Sequence, residues 1–168
     1  MKSAYDLDFH PRVVVLIERF GQIDAEMRDL PIYNDKIAIE AIGFSPFGDD
    51  ALLGVVLTPW FMNMIVLPIN PAPMEMAEIG RVVSVELPAG QRSFTIGGDE
   101  AIGLYKFLSL QSPVLGFTLP GQARAAAQRM FTLLITPPAP PSQTEAENRS
   151  PTATLDRRAL FFRRGRQS

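Results

Sequence analysis

Residues 52–69, LLGVVLTPWFMNMIVLPI, contain two apolar segments separated by a Pro-Trp-Phe tripeptide. The first segment runs from Leu52 to Thr58 and the second from Met62 to Ile69, and neither alternates apolar with polar residues. Strands without such alternation are typical of the centre of a sheet that is covered on both faces. A membrane helix needs roughly 20 predominantly apolar residues, whereas two prolines and an asparagine interrupt this stretch. It therefore predicts two central strands and no direct membrane insertion.

An amphipathic helix is predicted on each side of the strand-rich part. From Pro11 to Met27 the apolar residues recur every three or four positions, which places them on one face of a helix. Pro11 suits a first helical turn, because the N–H that proline lacks has no helical partner there. A second helix is predicted from Pro120 to Thr136, with an alanine-rich apolar face, and Pro137 ends it.

The remaining strand candidates lie between the two predicted helices. They are residues 37–42, 82–87, 92–96 and 102–110, with turns predicted at 45–50, 87–90 and 97–100 and one helical turn at 74–79. Strands that are grouped in sequence indicate an antiparallel sheet. The predicted fold class is α+β: a two-layer sandwich in which an N-terminal and a C-terminal helix cover one face of a mainly antiparallel sheet.

Composition divides the chain into four predicted parts. They are an N-terminal arm (1–10), a folded domain (11–136), a proline-rich flexible linker (137–154) and a basic C-terminal segment (155–168). Residues 1–150 hold 11 Lys and Arg against 17 Asp and Glu, whereas the last 18 residues hold five Arg against one Asp. An acidic body repels nucleic acid, and a solvated basic tail is favoured over a nucleic-acid-binding one. No nucleic-acid partner is predicted.

Several kinds of chemistry are excluded by the residues that the chain lacks. Without cysteine it forms no disulfide, thiolate zinc site or iron–sulfur cluster. The single histidine, His10, is predicted to belong to the start of the first helix, since a zinc site needs three or four ligands. We predict no metal site and no cofactor. Residues 1–10 lack the basic-then-apolar pattern of a signal peptide, so the cytoplasm is the predicted location.

Paired carboxylates occur at Asp49-Asp50 and at Asp99-Glu100. The sequence Gly97-Gly98-Asp99-Glu100 invites comparison with the signature of diguanylate cyclases, but that signature continues with Phe and here Ala101 follows. Two glycines followed by acids are also what a hairpin turn uses. We interpret both pairs as turn acids and predict no catalytic residue.

The segment Thr58–Asn63 contains the only tryptophan of the chain, Trp60. A large aromatic residue in a small domain most often belongs to the core, so a tight connection with Trp60 inserted into the core is the favoured interpretation. The alternative is an aromatic anchor at a peptide-binding surface, where Trp and Met are enriched.

Several short pieces of the sequence form an ordered set. They are Gly54–Asn63 followed by Leu67-Pro68, then Leu87–Gly90, Phe94–Gly97, Gly103 with Tyr105, Ser109-Leu110 with Ser112-Pro113, and Arg157–Phe161. In this order the pieces resemble the HybE/HupJ (also HoxT) family of hydrogenase-assembly proteins. No single piece is specific, but the ordered combination is, and it runs from about residue 11 to 135 and resumes at 155.

The resemblance implies a two-layer α+β fold and a chaperone in the maturation of a [NiFe]-hydrogenase. The implied partners are precursor subunits of the hydrogenase, including the twin-arginine signal peptide of the small subunit, and other maturation proteins. In the preferred mechanism the acidic body attracts the basic part of the signal, and an apolar surface near Trp60 binds its hydrophobic part. Binding then delays export until assembly is complete.

Two other hypotheses remain open. The chain is a non-catalytic scaffold that brings hydrogenase subunits or maturation factors together without binding a signal peptide, or it is an enzyme that uses the Gly97–Glu100 turn. The residues predicted to contact the partner are Thr58, Pro59, Trp60, Asn63, Ser112, Pro113, Arg157 and Arg158.

Overall fold

The structure is a computed structural model and describes residues 7–140. The basic C-terminal segment and most of the predicted arm and linker lie outside the described residues, so the predicted division into four parts stays a prediction. The elements in chain order are α1 (Pro11–Met27), β1 (Glu40–Phe47), β2 (Ala51–Leu57), β3 (Met62–Pro68), β4 (Val82–Leu87), β5 (Gly90–Asp99), β6 (Gly103–Gln111) and α2 (Pro120–Ile135).

The six strands form one antiparallel sheet in the order β1-β2-β3-β6-β5-β4. β2 and β3 form a hairpin, which we call the central hairpin (residues 51–68), with Leu52 opposite Leu67 and Leu57 opposite Met62. Residues 52–57 and 62–67 are all buried, which is what their uninterrupted apolar sequence predicts. The α+β class and the antiparallel sheet with a helix from each end are confirmed.

Alternate residues of the central hairpin belong to two different cores. Leu53, Val55 and Met64 pack in a core with α2, whereas Leu52, Val56 and Ile65 pack in a core with α1. Because successive side chains of a strand point to opposite faces, the two helices lie on opposite faces of the sheet. The expectation that both helices cover one face is wrong, since apolar periodicity shows that a helix buries a face but not which side of the sheet receives it.

Gly54 makes the close packing between β1 and β2 possible. A Cβ atom at this position would lie 2.4 Å from the ring of Phe44, which is itself fully buried. Contacts this short do not occur between real side chains, so the absence of a side chain at Gly54 is what lets the Phe44 ring lie against the strand.

The ends of some strands differ from the predicted ones. β1 begins at Glu40 and continues through Pro46, which is tolerated because β1 is an outer strand and its N–H side needs no partner. β5 extends to Asp99, so Gly97 and Gly98 belong to the strand and the turn lies at residues 100–102. The segment 74–79 contains turns but no helix.

Both helices begin and end close to their predicted bounds. α1 spans Pro11 to Met27, as predicted, and the Nδ1 atom of His10 accepts a hydrogen bond from the backbone N–H of Arg12 at 3.1 Å. His10 therefore caps the helix, in agreement with its predicted place at the helix start. α2 ends at Ile135, just before the prolines at 137 and 138.

Candidate functional site

The connection between β2 and β3 is built around the hydroxyl group of Thr58. Its Oγ1 atom accepts hydrogen bonds from the backbone N–H groups of Trp60, at 3.3 Å, and Phe61, at 3.0 Å. The backbone N–H of Thr58 donates to the carbonyl oxygen of Phe61 at 2.8 Å. Thr58 is fully buried, so the hydroxyl satisfies backbone donors that would otherwise be costly to remove from water.

Trp60 is a core residue, with only 5% of its surface exposed. It stacks on Tyr33 with the ring centroids 6.3 Å apart, and it meets Phe20 and Phe61 edge-on. Aromatic pairs in these geometries are worth about 0.5–1.5 kcal/mol beyond the area that they bury. The favoured interpretation of Trp60 as a core residue is confirmed, and its ring is not presented to a partner in this conformation.

Asn34 joins this connection to the loop before α2. Its backbone N–H donates to the carbonyl oxygen of Pro59 at 2.8 Å. Its Nδ2 atom donates to the carbonyl oxygens of Val114, at 2.9 Å, and Phe117, at 2.8 Å. Asn34 was not among the predicted site residues, because nothing in its local sequence indicates bonds to residues about 80 positions away.

The predicted site residues fall into three groups. Thr58, Pro59 and Trp60 come together with Ser112, whose hydroxyl group donates to the carbonyl oxygen of Trp60 at 3.5 Å. Ser112 and Pro113 are exposed and are joined by a cis peptide bond. Asn63 is buried within β3, where it lies opposite Val56 and Ser109. Arg157 and Arg158 lie outside the described residues.

The carboxylate of Asp99 has a structural role. Its Oδ1 atom accepts hydrogen bonds from the backbone N–H groups of Ala101 and Ile102, each at 3.0 Å, and its Oδ2 atom pairs with Arg19 of α1. The hydrogen bond and charge of Asp99 raise the pKa of Arg19. Asp99 therefore closes the β5–β6 turn and ties it to α1, as expected of a turn acid.

Two cavities lie one after the other between α1 and the chain that leads into β1, and we call them together the α1–β1 groove. Its first part is a cavity of about 310 Å³ whose lining includes Phe9, Val14, Ile17, Glu18 and Ala41. Next along the same side of α1 is a cavity of about 270 Å³, whose lining includes Gly21, Asp24, Tyr33, Ile39 and Pro59. The first cavity is mainly apolar with carboxylates beside it, whereas polar and apolar groups contribute alike to the second, which contains one carboxylate, Asp24.

None of the predicted site residues except Pro59 lines this groove, and the sequence gives only a weak indication of it. Val14 interrupts the amphipathic pattern of α1, because it is an apolar residue on the side away from the core and is 38% exposed. Phe9 is 86% exposed. Single exposed apolar residues are common, so neither residue marks a surface until the fold places them beside the same cavity.

Within residues 7–140, no cluster of three or more His, Asp or Glu side chains is placed to hold a metal ion. No helix in this part of the chain is long and apolar enough to cross a membrane. Every buried side-chain nitrogen and oxygen in the described residues has a hydrogen-bond partner.

Comparison with known proteins identifies relatives over most of the chain. A family model described as "[NiFe]-hydrogenase assembly, chaperone, HybE" matches residues 12–163. The hydrogenase expression/formation protein HupJ of Bradyrhizobium diazoefficiens is 39% identical over 133 residues, which cover 79% of this chain and 75% of that protein. The hydrogenase expression/formation protein HupT of Azotobacter chroococcum is 35% identical over 144 residues, which cover 86% of this chain and 89% of that protein.

One solved structure has a related fold. The solution structure of HybE from Escherichia coli matches with a TM-score of 0.58 at 20% sequence identity, covering 78% of this chain and 82% of that chain. At this identity the likeness supports the fold alone.

The family match supports a statement about function, whereas the likeness in fold does not. It spans well over half of the chain, and it confirms the resemblance predicted from the ordered sequence pieces. Its members are non-catalytic assembly chaperones, as predicted, and membership implies hydrogenase subunits as partners. The chain belongs to the HybE family of [NiFe]-hydrogenase assembly chaperones.

Proposed function

We propose that this chain acts in the cytoplasm by binding precursor subunits of a [NiFe]-hydrogenase, including the twin-arginine signal peptide of the small subunit. Occupying that signal delays export until the metal centre is assembled and the subunits have paired. The observation that carries the proposal is the family match over residues 12–163. A chaperone of this kind needs no catalytic residue, because delay follows from occupancy alone.

Charge supports the choice of the signal peptide as a target. Residues 1–150 hold 17 Asp and Glu against 11 Lys and Arg, a net charge of −6. A twin-arginine signal carries positive charge at its start, and opposite charges speed the encounter of two proteins. The attraction acts between exposed groups and therefore weakens as salt concentration rises.

The hydrophobic part of the signal needs an exposed apolar surface. Trp60 does not supply it directly, because its ring is buried against Tyr33 and Phe20. Its neighbours Ser112 and Pro113 are exposed and lie in a loop with the exposed Leu115. The contact expected near Trp60 must therefore come from side chains around it.

The alternative is a scaffold that holds the large and small subunits or other maturation factors and ignores the signal peptide. Both functions predict binding to hydrogenase precursors, so the signal peptide itself has to be removed to distinguish them. The experiment is a pull-down with this chain as bait and the small-subunit precursor as prey, with and without its signal peptide. The large-subunit precursor is the parallel sample.

The proposed function predicts that removal of the signal peptide lowers retention of the small subunit at least about tenfold, since the charged and apolar contacts are lost together. A synthetic signal peptide alone should then compete with the precursor. Undiminished retention of the truncated small subunit contradicts signal-peptide binding and favours the scaffold. Failure to retain either precursor contradicts both functions.

A further inference from the structure

We infer that the α1–β1 groove is the surface that receives an extended segment of the hydrogenase precursor, one that combines apolar side chains with arginine or lysine. The inference rests on the proposed function and names the place where that function is performed. It follows from three features of the groove: the apolar surface of its first cavity, the sign of its charge and its connection to the segment Thr58–Asn63.

The first cavity of the groove offers apolar surface that the fold leaves in water. Ile17 and Ala41 are partly buried, while Phe9, at 86% exposed, and Val14, at 38% exposed, stand at the rim of the first cavity. Covering such surface releases about 25 cal/mol for each Å² removed from water. The first cavity, of about 310 Å³, lies at the lower end of the range for small-molecule sites, and the second, of about 270 Å³, lies just below that range. They suit side chains that enter one after another from an extended segment.

The charge of the groove selects a basic occupant. Asp8, Glu18, Asp24 and Glu40 line its two cavities, and no Lys or Arg among residues 7–140 does so. Asp24 pairs with Arg28 and Glu40 with Arg124, each from outside the lining. Asp8 accepts hydrogen bonds from the backbone N–H groups of Gly43 and Phe44.

Of the four carboxylates that line the groove, Glu18 is the exposed one. It forms no ion pair within residues 7–140. Its side chain lines the first cavity, one helical turn from Val14. A guanidinium or ammonium group placed there would meet a carboxylate whose charge is not yet matched. This arrangement suits a segment in which apolar residues follow a basic one, because the carboxylate can pair with the basic side chain while the apolar cavity receives the apolar side chains.

Two other cavities formed by residues 7–140 do not have this combination. The apolar cavity between β3 and β6 contains Lys106 in its lining together with Asp50. The cavity at the β5–β6 turn contains Arg19, which already pairs with Asp99. In both places a basic side chain already belongs to the lining, which disfavours a basic ligand.

The groove also explains how the segment Thr58–Asn63 contributes to binding while its tryptophan is buried. Pro59 lines the second cavity, and so does Tyr33, which stacks on Trp60 from the groove side. The hydroxyl group of Tyr33 donates to Asp24 at 2.9 Å. Trp60 is thus a positioning residue, which holds Tyr33 and Pro59 in place beneath the bound segment.

The test uses two matched pairs of variants of the full chain, each changing an exposed residue. Glu18→Arg reverses a charge inside the groove. Glu26→Arg makes the same change at an exposed position of α1 that lies near Arg19 and does not line the groove. Val14→Arg fills the first cavity, and Leu133→Arg places the same side chain on α2, where Leu133 is 67% exposed. Near-ultraviolet circular dichroism and urea unfolding check that each variant keeps its fold.

Affinity for the purified small-subunit precursor is measured by calorimetry at about 50 and about 300 mM salt. We expect Glu18→Arg and Val14→Arg to weaken binding about tenfold or more, with the loss for Glu18→Arg greater at the lower salt concentration. Glu26→Arg and Leu133→Arg should stay within about twofold of the wild type, as is usual for exposed residues outside an interface.

The outcomes separate the groove from the function. If the wild type binds a precursor and the folded groove variants bind as tightly, the groove is not the site and the proposed function still stands. If the control variants weaken binding as much as the groove variants, the effect is general electrostatics and the inference is wrong. If the wild type binds neither precursor, the proposed function is wrong, and so is the inference that the groove binds a segment of a precursor.

Discussion

The central hairpin and the α1–β1 groove lie side by side and differ in almost every physical respect. The hairpin is apolar, is buried on both faces and is continuous in sequence. The groove is open, is bordered by carboxylates and is assembled from residues 8–24 and 37–41 together with Tyr33 and Pro59. They meet where Tyr33 stacks on Trp60. The most distinctive residues of this sequence, around Trp60, therefore specify the fold, whereas less conspicuous exposed residues are the ones that we propose to contact a partner.

The largest difference between the two regions is expected when Trp60 is replaced. Trp60→Ala removes a ring that packs against Tyr33, Phe20 and Phe61, so we expect a loss of about 3–5 kcal/mol in the free energy of unfolding. Urea unfolding at neutral pH measures it. Leu133→Ala, at an exposed position of α2, is the control and should change stability by no more than about 0.5 kcal/mol.

The same variant distinguishes a core role from a direct binding role. A Trp60→Ala protein that keeps its full stability but no longer binds a precursor would show that Trp60 contacts the partner itself. The comparison between a structural hairpin and a binding groove would then be incorrect.

Two glycine substitutions should have opposite signs in the two regions. Gly54→Ala brings a methyl group against the ring of Phe44 in the core, and such overpacking costs about 1–3 kcal/mol. Gly21→Ala, in α1 on the groove side, has no atom within 4 Å of the new Cβ and should stabilise the helix by about 0.5–1 kcal/mol. Thermal and urea unfolding of both variants provide the measurement.

A second substitution tests the cause assigned to Gly54. Phe44→Leu in the Gly54→Ala background leaves more space for the methyl group, so the double variant should lose less stability than the two single losses added together. Strictly additive losses would mean that the Phe44 ring is not what Gly54 accommodates.

The smallest effect is expected at Tyr33, where the two regions meet. Burial, and then the hydrogen bond to Asp24, raise the pKa of Tyr33 above its ordinary value. The fold therefore favours the neutral phenol. The stability that this adds is complete below the ordinary pKa of tyrosine and is lost as the pH rises through the higher pKa of the folded state.

Replacing Tyr33 by Phe should accordingly make the free energy of unfolding fall less steeply above about pH 10. Urea unfolding at several pH values measures the slope. Burial, followed by the charge of Asp99, also raises the pKa of Tyr105, so part of the slope should remain in Tyr33→Phe and disappear when Tyr105→Phe is added. An unchanged slope in Tyr33→Phe would contradict the assigned shift.

Local sequence patterns predicted the elements, because each pattern has a local cause. The bounds of α1 follow from a proline at its first position and apolar residues on one face. The two strands of the central hairpin follow from apolar runs of strand length. The extension of β1 through Pro46 was not predictable in the same way, because a proline is tolerated there only by virtue of the outer position of β1 in the sheet.

The candidate site was less predictable, because contacts between distant residues build it. Asn34 bonds to carbonyl oxygens about 80 residues away, and no local pattern indicates this. Val14 and Ala41 line the same cavity only because α1 packs beside β1. Apolar periodicity showed that each helix buries a face, but not that the two helices cover opposite faces of the sheet.

Amide hydrogen exchange with and without a purified hydrogenase precursor distinguishes the groove from the other surfaces of the domain. We expect slower exchange on binding in residues 12–24 and 37–42, which border the groove, and no change in residues 52–57 and 62–67, which are already buried. Slower exchange confined to the β4–β5 hairpin or to α2, with the two groove segments unchanged in a complex that does form, would contradict this expectation.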